Sequence, residues 1–447
     1  MAFPPPTLTA TTIISVAGSI FDLVADDAKS LGSERDQAFL LLSSKQPVAV
    51  MKVSNAMQDA ALLDLEASAA CHISLVDAGL PVALPMKCSQ LGSTGTDQRY
   101  QYKAADDALY WMRCYPVMPG AIRQVSDGKL SDTLLHNWGC SSARVGKALR
   151  SYGNPLASTK VTPWDSQHAL LMRPLLAHVT EQRGLRSLCG EILDYFEERI
   201  KPLLPTLRHQ VVHGDFNMGN VLVKEGEISG IIDFGDMSFT ALAVDISSML
   251  CALGVAHIAD GGDAGGAELM RMGRVLLDGY QSIVPLEEQE LAVLADLWMV
   301  RICIELVCSA WRVGTGLETA ERSGPEQPLF EACMRSLHGL GRAGRSFGLL
   351  AAIDIAGAAD KANNEAPVST ADLAARRVTA IGPASEPLSY GDEPLRVSHA
   401  SGCWLTDISG CKFLDCYNNV PCVGHAHPRV VQAIARQAAK VNVNMRL

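Results

Sequence analysis

Two stretches of this chain place carboxylates and an amide at spacings that suit the handling of phosphate and a metal ion. Residues 212–220 read VHGDFNMGN, and residues 231–236 read IIDFGD. Asp215 and Asn220 are five residues apart, and Asp233 follows thirteen residues later. At this spacing one carboxylate can accept the proton of an attacking hydroxyl while an amide oxygen and a second carboxylate hold Mg²⁺ against nucleotide phosphates. These residues therefore predict phosphoryl-transfer chemistry.

These side chains can act together only if the chain folds back between them. Residues 221–223 and 230–232 are short apolar runs around the polar turn 224–227, which predicts a β-hairpin. A hairpin brings the loop before its first strand close to the loop after its second strand. The Asp215 and Asp233 loops should therefore meet. The Asp-x-x-x-x-Asn spacing and the Asp-Phe-Gly also match the protein-kinase signature in kind.

The amino-terminal part is predicted to be a small sheet beside one helix. Residues 38–42, 48–53 and 110–117 are apolar runs near turn residues, which is typical of strands. Residues 62–73 carry apolar side chains at intervals of three and four, which is typical of a helix.

The chain from about residue 121 to 350 is mostly helical apart from the hairpin. Residues 131–149 and 184–199 are amphipathic, and a longer helix is predicted from about Leu286 to Trp311. We therefore expect an α+β fold, in which a β-rich part precedes a larger helical part.

The paired motifs resemble those of the aminoglycoside phosphotransferase and choline kinase superfamily, in the branch of hydroxylysine and ethanolamine kinases. The resemblance covers about residues 12–345. It implies a two-lobed protein-kinase-like fold, with an N-lobe over 12–118 and a C-lobe over 119–350, and an enzyme that uses ATP and Mg²⁺.

The resemblance also assigns roles to the residues of the two motifs. It makes Asp215 the catalytic base and His213 a structural support for its loop, with Asn220 and Asp233 as Mg²⁺ ligands. The alternative is that Asp215 caps a turn and Asp233 caps a strand end. The occurrence of both motifs in order favours the catalytic interpretation.

The N-lobe is predicted to bind the nucleotide. Lys52 ends an apolar strand where a kinase places the lysine that holds the α- and β-phosphates. Glu66 on the following helix is its predicted ion partner, although Asp59 and Asp64 share that helix. The alternative for Lys52 is a strand lysine that faces solvent.

Two further segments of the N-lobe are predicted to contact ATP. Residues 31–37 resemble the Ser-x-Arg-Asp-Gln-Asn loop of the branch that phosphorylates small amino alcohols and hydroxy-amino acids. The residues of this loop predicted to cover the phosphates are Ser33, Arg35 and Asp36. Residues 115–118 are the predicted hinge, in which Tyr115 and Val117 would hold adenine through the backbone.

The end of the chain carries a second resemblance. Residues 412–420 read KFLDCYNNV and residues 423–428 read VGHAHP, which resembles the opening of a class III aminotransferase of the phospho-lyase branch. Residues 386–447 would be an incomplete start of that fold, joined by a linker over 351–385. Pyridoxal phosphate is therefore expected only in a longer protein, with homo-oligomers possible through its aminotransferase part.

A kinase joined to a phospho-lyase predicts a shared amine-bearing substrate. We therefore expect a small amino-alcohol or hydroxy-amino acid as the acceptor. A buried amine needs a carboxylate or an aromatic face, and the candidates are Asp236, Glu305 and Trp298. Core packing would explain Trp298 equally well, and a surface ion pair with Arg301 would explain Glu305. An aminoglycoside antibiotic phosphotransferase and a catalytically silent kinase-like binding module stay open as alternatives.

The composition argues against several other classes of protein. Lys plus Arg number 38 against 48 for Asp plus Glu, a net charge of -10, which argues against a nucleic-acid partner. The chain has thirteen cysteines and we find no export signal, which predicts that the cysteines are reduced thiols. We find no uninterrupted apolar run of the length a membrane span needs. A cytoplasmic protein without a membrane partner is expected.

Overall fold

The computed structural model describes residues 6–32, 36–89, 98–105, 107–123, 129–262, 266–317, 327–340, 345, 349, 397–401, 403–407, 411–416 and 425. The chain forms two compact units, Met1–Asp354 and Ile355–Leu447. The first unit contains every residue proposed above for phosphoryl transfer.

The N-lobe is built on a five-stranded antiparallel sheet in the order β1-β2-β3-β5-β4. Its elements are α1 (Ala10–Phe21), β1 (Asp27–Ser30), β2 (Gln37–Ser43), β3 (Gln46–Val53), α2 (Ala60–Val76), β4 (Tyr100–Lys103) and β5 (Leu109–Pro116). The predicted strands are confirmed as β2, β3 and β5, and the predicted helix as α2.

Helix α1 is not among the predicted elements. Five of the six residues 11–16 are β-branched, which favours a strand by propensity. The hydroxyl of Thr9 accepts from the Thr12 N–H at 3.2 Å and caps the helix. The buried face of α1 packs into the same core as β2, β3 and β5. Tertiary burial therefore overrides the local propensity.

The C-lobe is mainly helical. Its elements are β6 (Ala121–Ile122), α3 (Asp132–Leu149), α4 (Pro155–Thr159), a 3₁₀ stretch (Ser166–His178), α5 (Leu185–Tyr195), β7 (His209–Val212), β8 (Val221–Lys224), β9 (Glu227–Ile231), β10 (Ser238–Ala241), α6 (Leu242–Ala259), α7 (Ala267–Gln281), α8 (Glu288–Gly314) and α9 (Gln327–Gly339). The predicted amphipathic helices are confirmed as α3, α5 and α8. Their apolar faces share one core, to which α2 of the N-lobe also contributes.

Two antiparallel ladders bring the functional loops together. The predicted hairpin is confirmed, with Val221 opposite Ile231 in β8 and β9. Strand β7 pairs with β10, so that Val212 lies opposite Ser238. The predicted catalytic loop (213–220, hereafter the catalytic loop) joins β7 to β8, and the predicted metal loop (232–237, hereafter the metal loop) joins β9 to β10. The two strands that flank the first loop are thus paired with the two strands that flank the second loop, and the loops lie side by side.

Helix α6 is long and apolar enough to cross a membrane by composition, with a mean hydropathy of 1.8. However, 72% of it is buried inside the fold. Its first turn carries the buried Asp245. We therefore interpret α6 as a core helix of the C-lobe.

The second unit contains a three-stranded antiparallel sheet. Its strands are β11 (Val397–Ser401), β12 (Trp404–Asp407) and β13 (Lys412–Leu414). Strands β12 and β13 form a hairpin in which Leu405 lies opposite Phe413, and His425 Nε2 lies 2.6 Å from Asp415 Oδ2. The predicted linker 351–385 lies outside the described residues.

Candidate active site

A cleft of about 430 Å³ lies between the N-lobe sheet and the β8–β9 hairpin. Its apolar walls come from both lobes and include Leu40, Val50, Ala83, Leu222 and Ile232. The charged side chains of Lys52, Glu66 and Asp233 also line it. An apolar slot with a few polar groups suits a planar, charged ligand such as a nucleotide.

The predicted hinge lies along this cleft. Tyr115, Pro116, Val117 and Met118 are all among the lining residues. Strand β5 ends at Pro116, where it pairs with Ala49 of β3. The hinge is therefore anchored to the strand that carries Lys52. Adenine binding there stays a prediction.

The catalytic loop and the metal loop touch through their backbones. Gly214 has a φ of +81°, and a Cβ at this position would clash with the carbonyl oxygen of Asp236. The Gly214 N–H donates to Asp245 Oδ1 of α6 at 2.9 Å. A glycine is therefore required, and α6 fixes the turn from the other side.

His213 connects both loops from within the core. It is 1% exposed, and its Nδ1 lies 3.4 Å from the Asp215 N–H while its Nε2 lies 3.2 Å from the Ile232 carbonyl oxygen. Its ring packs against Phe216 and Phe234. Burial lowers its pKa, and a neutral ring with the proton on Nε2 satisfies both contacts. This geometry agrees with the predicted supporting role.

Two amides orient the predicted base. The side-chain nitrogens of Asn217 and Asn220 donate to Asp215 Oδ2 at 2.9 and 2.8 Å. Asn220 also donates to the Asp215 carbonyl oxygen at 2.9 Å. Because these contacts use the nitrogen of Asn220, its amide oxygen is the atom that a metal ion would bind.

Asp233 forms an ion pair with Lys52. Lys52 Nζ lies 2.8 Å from Asp233 Oδ2, and Asp233 Oδ1 accepts from the Gly235 N–H at 3.3 Å. Asp233 has a φ of +61°, a left-handed conformation that Asp tolerates better than most residues. Enclosure in the cleft acts to raise the pKa of Asp233, but the Lys52 ammonium prevails and holds this pKa well below its ordinary value.

The predicted ion pair between Lys52 and Glu66 is not formed, which corrects the sequence analysis. Arg113 Nη1 lies 2.6 Å from Glu66 Oε2, and both side chains are largely buried. Arg113 lies opposite Lys52 in the β3–β5 ladder, so two cations compete for the acids beside this sheet. Lys52 forms its ion pair with Asp233, and Arg113 forms one with Glu66.

The predicted phosphate-covering loop is described only in part. Ser33 and Arg35 lie outside the described residues. Asp36 does not line the cleft; its Oδ1 accepts from the backbone N–H of Asn55 at 2.9 Å and from its side chain at 3.2 Å. Asp36 thus joins the start of β2 to the segment after β3.

A buried arginine bridges the predicted base and one predicted acceptor residue. Arg301 of α8 lies 3.5 Å from Asp215 Oδ1 and 2.7 Å from Glu305 Oε1. It also donates to the Trp164 carbonyl oxygen. Arg301 is 4% exposed, so the pair with Glu305 belongs to the interior of the site and not to the surface. The sequence analysis treated Arg301 only as a surface partner.

The other two acceptor candidates have different outcomes. Trp298 is fully buried and packs near Gly254 and Gly273 in the C-lobe core. Its selection as an acceptor residue is wrong, because no part of it reaches the cleft; core packing was the correct alternative. Asp236 is partly exposed, and its own carbonyl oxygen is the atom that Gly214 approaches.

The surroundings of Asp215 favour its action as a proton acceptor. Burial raises its pKa above the ordinary value, and the Arg301 guanidinium lowers it only in part, while Glu305 raises it further. A carboxylate with a raised pKa binds a proton more readily, which suits removal of a hydroxyl proton.

The described residues contain no group of three or more His, Cys, Asp or Glu arranged for a metal ion. Mg²⁺ here would be held by the oxygens of Asn220 and Asp233, with the remaining positions filled by phosphate and water. Such an incomplete oxygen set is what Mg²⁺ uses in phosphoryl-transfer enzymes. The residues present therefore fit the ion.

Several residues near the site have no motif to reveal them. Lys160, after α4, donates to the Gly235 carbonyl oxygen, and Trp164 follows four residues later. Arg113 of β5 donates to Glu66, and Asp245 of α6 accepts from the Gly214 N–H. Only Arg301 had a signal, because it lies one helical turn before Glu305.

Comparison with a family model matches residues 27–283 to the phosphotransferase enzyme family. Hydroxylysine kinase of Danio rerio is 27% identical over 323 residues, covering 69% of this chain and 85% of that protein. The amicoumacin kinase hAmiN, solved with AMP-PNP, Ca²⁺ and Ami, superposes with a TM-score of 0.57 at 16% identity, covering 74% of this chain and 97% of that one.

A separate match concerns the end of the chain. Ethanolamine-phosphate phospho-lyase homolog 1 of Caenorhabditis elegans is 44% identical over 78 residues. This match covers 17% of this chain and only 16% of that protein. It agrees with the second resemblance seen in the sequence.

Proposed function

Because the chain belongs to the phosphotransferase enzyme family, we propose that it transfers the γ-phosphoryl group of ATP to the hydroxyl of a small amino-alcohol or hydroxy-amino acid. The observation that carries this proposal is the cleft in which Lys52 and Asp233 form an ion pair while Asp215 and Asn220 lie on the adjoining loop. The hydroxylysine kinase relative supports the acceptor class.

The residues divide the reaction between them. Asp215 takes the hydroxyl proton as the acceptor oxygen forms its bond to the γ-phosphorus, and the bond from that phosphorus to the bridging oxygen breaks, so that ADP leaves. Lys52 holds the α- and β-phosphates. Mg²⁺, when bound to Asn220 and Asp233, neutralises the charge of the phosphates.

The amine of the acceptor needs a counter-charge near Asp215. Glu305 and Asp236 are the carboxylates that supply it, and a panel of acceptors tests the proposal. We expect ATP consumption with hydroxylysine, homoserine or ethanolamine to exceed that with choline and kanamycin. A strong preference for kanamycin would favour the antibiotic phosphotransferase, and no consumption with any acceptor would favour a silent module.

We further propose that residues 386–447 are the start of a class III aminotransferase-like part, and that the kinase acts in the cytoplasm. The 44% identity to a phospho-lyase homolog supports the first statement. ATP dependence and the free thiols of the described cysteines support the second. Pyridoxal phosphate is the cofactor of that fold, but residues 386–447 correspond to only a small part of it, since the match covers 16% of the phospho-lyase homolog.

A further inference from the structure

Four charged side chains meet beside the N-lobe sheet and form two separate ion pairs. Lys52 of β3 and Arg113 of β5 lie opposite each other in the ladder, and each is paired with a carboxylate from outside the sheet. Lys52 Nζ lies 2.8 Å from Asp233 Oδ2 of the metal loop. Arg113 Nη1 lies 2.6 Å from Glu66 Oε2 of α2. Two neighbouring cations are thus matched by two carboxylates.

The two carboxylates face the same point of the metal loop. A Cβ at Gly235 would lie 3.1 Å from Asp233 Oδ1 and 3.9 Å from Glu66 Oε1. Arg113 contacts the other oxygen of Glu66. Glu66 and Asp233 also line the cleft together with Lys52. By its position, Glu66 is therefore an alternative partner for Lys52, and Arg113 is the residue that occupies it.

The two ion pairs differ in how readily they separate. The side chains of Arg113 and Glu66 are 4% and 13% exposed. Those of Lys52 and Asp233 are 23% and 44% exposed. A buried cation that loses its carboxylate is left without compensation from water, which costs far more than separating an exposed pair. The pair of Arg113 with Glu66 is therefore the fixed one, and the pair of Lys52 with Asp233 is the one that a ligand can open.

We propose that Arg113 is a positioning residue that withholds Glu66 from Lys52, so that Lys52 alternates between Asp233 and the phosphates of the nucleotide. This inference rests on the proposed function, because it assigns the displaced Lys52 to ATP. A metal ion at Asp233 releases Lys52, and phosphates at Lys52 release Asp233. Each ligand thus removes the competitor of the other, which couples their binding through these two residues.

The first test is a crystal structure of the full chain with AMP-PNP and Mg²⁺. We expect Arg113 to remain within hydrogen-bond distance of Glu66, while Lys52 leaves Asp233 and contacts the phosphates. A structure in which Lys52 is bonded to Glu66 would overturn the inference. This test uses the wild-type chain, so it decides the inference even if Arg113→Met fails to fold.

Metal binding without nucleotide locates the effect at Arg113. Arg113→Met leaves Glu66 free to pair with Lys52, which then vacates Asp233, so the affinity for Mn²⁺ alone should rise by about fivefold or more. Arg113→Lys keeps a cation on Glu66 and should stay near the wild-type affinity. The double variant Arg113→Met with Glu66→Gln removes the alternative partner of Lys52, and its Mn²⁺ affinity should return to near the wild-type value.

The matched control is Arg99→Met. Arg99 is a largely buried arginine beside β4 that pairs with Asp64 of α2 at 2.7 Å, but neither residue is among those that line the cleft. Its Mn²⁺ affinity should equal that of the wild type. An unchanged or lower affinity in a folded Arg113→Met chain would contradict the inference, and so would a double variant that keeps the raised affinity.

These measurements report binding and structure, so they separate this inference from the proposed function. A chain that shows the expected Mn²⁺ affinities but phosphorylates none of the acceptors would support the inference and contradict the proposed acceptor class. A chain that binds no ATP analogue would contradict both.

Discussion

Lys52 and Asp233 form a 2.8 Å ion pair across the cleft, although 181 positions separate them in the chain. The residue predicted to hold the phosphates of ATP thus binds the residue predicted to hold Mg²⁺. The opposite charges of the two side chains compensate each other in the cleft. On the proposed function, ATP and a metal ion would compete with this contact.

Replacing Lys52 should therefore have opposite effects on the two ligands. Lys52→Met removes the cation that competes for Asp233, so divalent-cation affinity without nucleotide should rise, whereas ATP affinity should fall by about tenfold or more. Mn²⁺ titration and binding of a fluorescent ATP analogue measure the two effects. Lys29→Met, on the exposed strand β1, is the control, and a fall in both affinities would contradict the competition.

Asp215→Asn should lower kcat by about 10²–10⁴-fold while ATP binding stays near that of the wild type. The substitution keeps the shape and removes the proton acceptor. Steady-state phosphorylation and nucleotide titration separate the two quantities. Asp194→Asn, a surface acid paired with Arg173, is the control. Unchanged turnover would remove Asp215 from the mechanism.

Asp233→Ala should abolish metal-dependent phosphorylation, since one of the two residues predicted to bind the metal is lost. Its structural effect should be small because Asp233 is 44% exposed and such ion pairs contribute at most about 1 kcal/mol. Activity over a range of Mg²⁺ concentrations, with thermal unfolding beside it, measures both. Full activity at ordinary Mg²⁺ concentrations would show that the metal binds elsewhere.

The pH dependence of activity should report the charge of Arg301. Asp215 must be ionised to act, so activity falls as pH decreases through its raised pKa. Arg301 acts to lower that pKa, and Arg301→Met should therefore move the acidic limb of the kcat profile to higher pH. Arg301→Lys should restore part of the shift. A profile that keeps its position while kcat falls would assign Arg301 a purely structural role.

Glu66→Gln should destabilise the protein more than Lys52→Met. It leaves Arg113, 4% exposed, as a buried cation without its carboxylate, and breaking a buried pair costs about 3–5 kcal/mol. Urea unfolding measures the free energy of unfolding. The double variant Glu66→Leu with Arg113→Met should recover most of the loss, and its failure to do so would indicate that the pair is not the cause.

The sequence locates the reacting groups because they are local. Asp215, Asn220 and Asp233 lie on two loops joined by one hairpin, and hairpins are readable from alternating apolar runs and turns. Glu66 was assigned to the wrong cation because its partner, Arg113, comes from β5, and sequence spacing cannot rank two cations from different strands. Trp298 was misassigned because an aromatic residue on an apolar helix looks the same whether it faces a core or a cleft.

The surroundings of Asp215 are the part that the sequence could not assemble. The contact between Arg301 of α8 and the Trp164 carbonyl oxygen joins residues 137 positions apart. No motif marks such residues, because each has its role only through neighbours distant in the chain.

The contact between Gly214 and the Asp236 carbonyl oxygen has a consequence for how acceptor preference can diverge. With no room for a side chain at Gly214, the spacing between the base and the metal ligand cannot be adjusted by sliding one loop past the other. Substitutions that alter acceptor preference are therefore expected outside these two loops, where they leave the contact between Gly214 and Asp236 in place.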